Sequence, residues 1–584
     1  MAYKTVRRKM SPIKVGDCGL NVLYKSSDML LYNEDAIEEA SELLKGGGIL
    51  AIKGVGGYHL AVDACNEYSV LKLRNKKHRY AKPFAVMMLN MHEVEKYCVV
   101  SIGEKQLLES YHAPIVILKK NPSGDTLAYS LTMGLNTIGV MLPYTPLHKL
   151  ILEKIRFPLV MTSGNISDEP ICINDTDAQN RLNDIVDGFL YHNRPITNRL
   201  DDSVCFFGAN NIRMIRRGRG FAQEPILINR SEKQILACGS FHKNTFCLIK
   251  NEHAFVSHHI GDLDNPLTYQ YYKDEIEKYM ERLVIKPVCI VKDLHPSFPL
   301  YADKQNLPVL TVQHHHAHIA SVMAEYGLKD KVLGIVYDGT GLGNDGSIWG
   351  AEFLLADLRG YKRVGHLEGI PLPGGDLAVK NPFRSALGFI YKDVKYFSQY
   401  VGRLDSFQVK IVLKQIANRI NTPLASSMGR LFDAVASIID IRDSIDYEGQ
   451  AAMELESIIS HTDDYYEYCL ENNNAGFCIN VRKMFHQIYK NYTSGLSKGI
   501  ISGKFHNTVV KFTVDITKKI RDIYFVNKIV ISGGCFQNRY LLDNVNTCLK
   551  KEGFEVYIPS RVPLNDGGIS LGQAAIATLY SSES

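Results

Sequence analysis

Three times along this chain an apolar run of strand length ends in closely spaced glycines: ILAIKGVGGYH from Ile49, VLGIVYDGTGLG from Val332 and KIVISGGCFQN from Lys528. A strand that stops at a glycine turn delivers backbone N–H groups and its last side chain to one edge of a sheet, an arrangement that belongs to α/β architecture. Further strand-like runs, FAVMML at Phe84, PIVILK at Pro114, CIVKDL and VLTVQ, lie among helical patterns such as EDAIEEASELLK and residues 407–420. At 584 residues the chain exceeds one core, and 45% apolar residues is enough for several. The expectation is two α/β regions joined by the polar stretch AQEPILINRSEKQ, with NDGGISLGQAAIATLY exposed near the end.

Composition excludes several classes of function. Lys and Arg number 67 against 62 Asp and Glu, so a nucleic-acid reading must rest on local clusters rather than on net charge. No apolar run of about 18 residues and no export signal occur, which predicts a cytoplasmic protein without a membrane partner. The 12 cysteines stand singly, with no C-x-x-C pair to build a zinc ribbon.

LRNKKHRYAKPFAV packs Arg74, Lys76, Lys77, Arg79 and Lys82 before an apolar strand, which alone reads as a solvated helix face. Beside it, KGVGGYH offers Lys53 at a glycine turn, TSGN offers Ser163 and Asn165, and RMIRRGRGF offers Arg216, Arg217 and Arg219. Together these suggest a triphosphate cradle. VQHHHAHIAS places His314 and His318 four residues apart, the spacing that sets two imidazoles on one helix face for a metal. No Glu follows the first His, so the zinc-protease pattern is absent, and the alternative is a histidine-rich turn. Asp338, ending LGIVYD, and Asp566, in PLNDGG, compete as the third ligand. The strand-then-glycine loops at Asp338 and at VISGGCFQN resemble the two phosphate-binding turns of the actin and sugar-kinase fold, with Ser532, Gly533, Gly534 and Asn538 facing a nucleotide. Arg430 and Asp433 in SSMGRLFDAVASI, and Gly449 and Glu454 in YEGQAAMELE, read either as helix-end residues or as part of that site.

Taken together these motifs resemble the HypF family of hydrogenase maturation carbamoyltransferases. KGVGGYHLAVDA, RYAKPFAVM, TSGNISDEPI and RRGRGFA look like its YrdC-like domain. VQHHHAHIAS, YDGTGLG, PLPGGDLAVKNP, SMGRLFDAVASI, YEGQAAMELE, ISGGCFQNRYLL and NDGGISLGQ look like its Kae1-like domain. The resemblance implies an α/β fold: a leader over 1–30, a YrdC-like domain with a twisted sheet over 31–221, a linker over 222–234, and a two-lobed, actin-like domain over 235–580. It implies an ATP-dependent carbamoyltransferase. Carbamate, derived from carbamoyl phosphate, and ATP with Mg²⁺ would give carbamoyl-adenylate in the first domain, with Lys53, Lys77, Arg79 and Lys82 neutralising charge. The second domain would pass the carbamoyl group to the C-terminal cysteine of HypE, for the cyanide ligand of nickel-iron hydrogenase. His314, His318 and Asp566 would hold iron or zinc, and Asp338 would sit beside the metal near the phosphates. Ser163, Asn165 and Arg217 in the first domain, and Asp433, Gly449, Ser532, Gly533, Gly534 and Asn538 in the second, would bind nucleotide.

Full-length family members carry an N-terminal acylphosphatase domain and paired zinc fingers; Cys18 and Gly19 in VGDCGLN look like a remnant of the finger region, and use of carbamoyl phosphate by this chain alone is not expected to be efficient. Because carbamoyl-adenylate hydrolyses readily, a shelter from water during transfer is expected. Three other functions compete. O-carbamoyl transfer to a small alcohol implies the reverse domain order; threonylcarbamoyl transfer to tRNA uses separate proteins; and nucleic-acid binding lacks aromatics among its basic residues.

Overall fold

The computed structural model describes residues 21–166, 169–296, 307–473 and 476–579; Cys18 and Gly19 lie outside them. Two compact units form, residues 1–224 with 257–275, and residues 225–256 with 276–584. Among the described residues no helix is long and apolar enough to cross a membrane.

The first unit is built on a twelve-stranded mixed sheet whose centre runs Ala85–Met87, Leu159–Ser163, Tyr58–Asp63, Leu50–Lys53, Gly188–His192. Successive residues of a strand face opposite sides, and here both sides are apolar: Ala51, Leu60, Val86 and Val160 enter one cluster, and Leu50, Ile52, Ala61, Met87 and Met161 the other. That is why these strands read as unbroken apolar runs rather than alternating ones. The helix Asn33–Lys45 covers the second face through Ala36, Ile37, Ala40 and Leu44, while Glu67–Lys77 covers the first through Val70 and Leu73.

The proposed leader is partly structural. Val22–Lys25 pairs antiparallel with Gly188–His192, burying Val22 and Tyr24 by alternation in a run too short to stand out in sequence.

The second unit contains two sheets of similar plan. In one, the hairpin Ile226–Ala237 and Cys247–Val256 is extended in parallel by Cys289–Asp293 and Val309–Val312. In the other, Tyr361–Leu367, Ile348–Ala356 and Val332–Leu342 are antiparallel, and Lys528–Ser532 and Glu555–Tyr557 continue in parallel. Two such sheets give the two-lobed, actin-like plan.

Residues 222–234 are not a free linker, since Ile226–Ala237 is a twelve-residue strand with two register shifts. Its first half alternates Ile226 buried with Leu227, Asn229 and Arg230 exposed, so its polar face imitates a connection. The segment after Asp566, expected to be exposed, is instead the buried helix Ile569–Ala577. It packs so closely on the helix His314–Tyr326 that a Cβ on Gly572 would lie 1.9 Å from the Ala317 carbonyl oxygen. Small residues that look like a loop in sequence here permit close helix contact.

Candidate functional site

In the first unit, topology gathers the basic residues at one sheet edge. Leu50–Lys53 and Leu159–Ser163 flank the antiparallel strand Tyr58–Asp63, so they run the same way and both end at that edge. Ala85–Met87, antiparallel to Leu159–Ser163, begins there, just after Lys82 and Pro83. Lys77, at the C-terminus of its helix, donates to the carbonyl oxygens of Ser163 (2.7 Å) and Asn165 (2.8 Å) and to Asn165 Oδ1 (2.9 Å). Ser163 Oγ donates to Asn165 Oδ1 at 2.6 Å, so the structure joins the KKHR run and the TSGN loop directly. Arg79 reaches Thr162 Oγ1 at 3.4 Å and stacks over Phe84, and Lys82 is exposed beside it.

Lys53 and Arg217, like Lys77, are buried and engaged within the fold. Lys53 is buried and donates to Asp175 Oδ1 (2.6 Å) and the His192 carbonyl (3.0 Å); nothing in the sequence near Asp175 pointed to this pairing. Arg217 is buried and donates to the Glu224 carbonyl at 2.6 Å, closing the turn after it. Arg74, at the heart of the basic run, is also buried, on the carbonyl oxygens of Ser130, Leu131, Arg79 and Lys82, and holds the loop rather than a ligand.

In the second unit, four segments converge. Asp293 ends one parallel strand, His314 begins the helix after the next, Asp338 lies on the central strand of the other sheet, and Asp566 precedes Ile569–Ala577. One donor atom from each of His314, His318, Asp338 and Asp566 lies within 4.8 Å of all the others. His314 Nε2 is 3.2 Å from Asp338 Oδ2 and 3.7 Å from Asp566 Oδ1; His318 Nε2 is 3.6 and 3.8 Å from the same atoms.

The outer nitrogens are held from behind. His314 Nδ1 donates to Asp293 Oδ2 at 2.9 Å, and His318 Nδ1 meets Ser532 Oγ at 3.1 Å. Asp338 Oδ1 accepts from the amides of Gly339 (2.8 Å) and Gly534 (3.3 Å), which turns Oδ2 toward the imidazoles. Ser532, expected to face a nucleotide, therefore spends its hydroxyl on orienting His318. Gly341 is required by close approach, since a Cβ there would lie 2.5 Å from the His315 ring and 2.8 Å from that of His314.

Electrostatics follow this packing. Burial pushes the His314 pKa down, but the Asp293 carboxylate and the hydrogen bond to Asp338 more than offset it, leaving it well above the usual imidazole value. Burial also favours a neutral Asp338, yet the hydrogen bond from His314 and the positive field of the nearby His318 imidazole hold its carboxyl well below the usual range. His318 Nε2 is buried without a hydrogen-bond partner and faces two carboxylates. A buried polar atom left this way is costly, and a cation at the centre would satisfy it. The donor set of two imidazoles and two carboxylates, with the imidazoles fixed by carboxylate and hydroxyl, fits a transition metal such as iron or zinc.

The other expected nucleotide residues belong to the same unit. Asp433 is buried against Arg430, with Arg430 Nε 2.8 Å from its carboxylate; burial raises its pKa against the pull of that arginine. Gly449 starts the helix Gln450–Ser457 with φ of +77°. Asn538 caps the helix Arg539–Lys551 through the Leu541 amide and donates to His506 Nε2 at 2.9 Å. Asp293 was missed because CIVKDL carries no signal beyond a charged residue ending a strand.

A mixed-sheet unit followed by a two-lobed unit with a His/Asp cluster defines the class of carbamoyltransferases that join YrdC-like and Kae1-like domains. Residues 42–218 match a model of the Sua5, YciO and YrdC family, described as telomere recombination. Residues 230–325 match the HypF Kae1-like domain, and 334–573 the second subdomain of the carbamoyltransferase Kae1-like domain. The chain is 40% identical to the carbamoyltransferase HypF of Synechocystis, covering 92% of this chain and 72% of that one. It is 37% identical to the Rhodobacter capsulatus HypF, covering 97% and 76%. A full-length HypF in its phosphate- and nucleotide-bound form superposes with a TM-score of 0.95 at 49% identity, covering 98% of this chain and 76% of that one; T. kodakarensis HypF gives 0.91 at 34%, covering 97% and 76%. The chain belongs to the HypF carbamoyltransferase family, and it is an enzyme of that class.

Proposed function

We propose that this carbamoyltransferase serves nickel-iron hydrogenase maturation by two linked steps, one in each unit. In the first, a carbamate oxygen attacks the α-phosphorus of MgATP, pyrophosphate leaves, and carbamoyl-adenylate forms. In the second, the C-terminal cysteine thiolate of HypE attacks the carbamoyl carbon and AMP leaves, giving the thiocarbamate from which cyanide is made. Carbamate is supplied from carbamoyl phosphate, and nucleic acid has no place in the reaction.

The observation that carries the reading is the convergence of His314, His318, Asp338 and Asp566 on one point in a chain that also carries the Lys77, Ser163 and Asn165 arrangement. Adenylation gathers negative charge at the α-phosphate, where fixed cations and amides are most effective. Lys77, Arg79 and Lys82 supply positive charge at one sheet edge, and the Ser163–Asn165 loop is tied to them through Lys77. Lys53 sets the adjoining strand end through Asp175.

In the second unit His314, His318, Asp338 and Asp566 would hold iron or zinc. Bound there, the metal supplies Lewis acidity toward the carbamoyl or phosphoryl oxygen. Asp293 and Ser532 fix the two imidazoles so that Nε2 of each faces inward, and Asp338 is aimed by two backbone amides. Asp433, Gly449, Gly534 and Asn538 line the nucleotide side.

ATP–pyrophosphate exchange by the purified chain, with bicarbonate and ammonia as the carbamate source, tests the first step. Carbamoylation of HypE tests the second. His314→Ala should lower bound metal and HypE carbamoylation while leaving exchange largely intact; equal loss of both would refute the division of labour.

A further inference from the structure

The second unit carries a cation beside the His/Asp cluster that the two steps leave unassigned. Lys243 sits in the turn between Ile226–Ala237 and Cys247–Val256 with φ of +48°. Left-handed backbone is costly for a lysine and persists only where its surroundings enforce it.

The enforcement is explicit. Asn244 Nδ2 donates to the carbonyls of Cys238 (2.9 Å) and Ser240 (2.6 Å). Thr245 Oγ1 donates to the Gly567 carbonyl at 3.0 Å and meets Ser570 Oγ at 2.7 Å, while the Gly239 amide donates to Gln573 Oε1 at 2.8 Å. The turn is thus clamped to the segment that carries Asp566, so the Lys243 backbone is fixed relative to the cluster.

Its ammonium lies 2.5 Å from Glu448 Oε2, the residue just before Gly449. Burial lowers the Lys243 pKa, but Glu448 first, then Asp566 and Asp338, raise it overall, so the ammonium stands within the field of the cluster. The Glu448 side chain is 65% exposed and that of Lys243 32%, so the pair is open to solvent. An ion pair with so exposed a carboxylate contributes only about 0–1 kcal/mol, so exchanging that carboxylate for another anion costs little.

We propose that Lys243 is an anion-binding residue of the second unit, receiving the phosphate of the adenylate, and that Glu448 is the counter-ion it exchanges for that phosphate. The inference rests on the reading that the adenylate reaches this unit. No covalent bond changes; one carboxylate is replaced at the ammonium by a phosphate oxygen. Glu448 then competes with the ligand, which a simple latch would not do.

The two roles differ in sign. AMP, which carries the same phosphate, is titrated calorimetrically into the full chain bearing Lys77→Met, a background that weakens the first unit's site. On that background, Lys243→Met should weaken binding at least about tenfold, the loss of one charge-assisted contact. Lys243→Arg should stay within about threefold of the parent, and Glu448→Gln should tighten binding by about two- to fivefold. If Lys243→Met and Glu448→Gln both weaken AMP binding, or Lys243→Met leaves it unchanged while AMP still binds, the exchange is wrong and the two-step reading stands. If the Lys77→Met chain binds no AMP, the inference falls together with the placement of the nucleotide in this unit.

Discussion

Among the described residues Asp293 meets the proposed metal site through His314, which makes Asp293→Asn a sharp test of how the imidazole is set. The carboxylate is buried, at 3% exposure, and divides its oxygens: Oδ2 accepts from His314 Nδ1 and Oδ1 from the His295 amide, each at 2.9 Å. Asparagine keeps the shape but has one acceptor. If that oxygen stays with His295, its NH₂ faces His314 Nδ1, which must then accept and carry its proton on Nε2, the atom a metal needs. If the amide flips, the His295 N–H faces an NH₂ instead. Removing an orienting partner of this kind typically costs about 10–100-fold in metal affinity, or about 1.4–2.7 kcal/mol. Chelator competition with metal quantification should show this loss, HypE carbamoylation should fall with occupancy and recover in excess metal, and ATP–pyrophosphate exchange should be unchanged. Undiminished metal affinity in Asp293→Asn would refute the argument that Asp293 sets the tautomer.

Other perturbations test separate links. Lys77→Met removes three hydrogen bonds to the Ser163–Asn165 loop and should lower ATP–pyrophosphate exchange at least about tenfold, so exchange at the parent rate would remove Lys77 from the site. Gly341→Ala forces a methyl against the His314 and His315 rings and should cost about 1–3 kcal/mol in stability together with bound metal; a variant that melts like the parent with full metal would contradict the packing. His148 is buried, both its ring nitrogens lack hydrogen-bond partners, and burial, then the neighbouring His59, pushes its pKa down to about 3. Below about pH 6.5 the unfolded chain takes up a proton there that the folded chain refuses, so this contribution is full above pH 6.5 and is lost as pH falls toward 3. Between pH 7 and pH 4.5 the parent should therefore lose about 2–3 kcal/mol more than His148→Leu in urea unfolding of the first unit, and parallel losses would exclude His148 as the cause.

How far these sites could be read from sequence depended on whether their chemistry was local. His314 and His318 were legible because four residues on a helix are neighbours in space, and the glycine turns were legible because an apolar strand followed by glycines has few alternatives. The KKHR run and TSGN were legible as motifs, yet their junction through Lys77 is a tertiary fact. Residues 226–234 failed as a linker because a strand with one solvated face is locally indistinguishable from a polar connection. The helix 569–577 looked exposed because glycine and alanine, which allow its tight packing on 314–326, are also what loops contain.

The partnerships that escaped detection share one property: each joins side chains from distant parts of the chain. Asp293 fixes His314, Ser532 fixes His318, Asp175 holds Lys53 and Glu448 meets Lys243, and no spacing rule relates the members of any pair. Such partners become visible only once the two sheets of the second unit, or the strand ends of the first, are assembled. The cluster itself depends on that assembly, since Asp338 comes from one sheet, His314 and His318 from the helix that follows the other, and Asp566 from a loop beyond both. A ligand set drawn from separate elements stays aligned only if each member is held from behind. Substitutions at those supporting positions should therefore shift metal affinity with little effect on folding, whereas substitutions at the close glycine contacts should shift both.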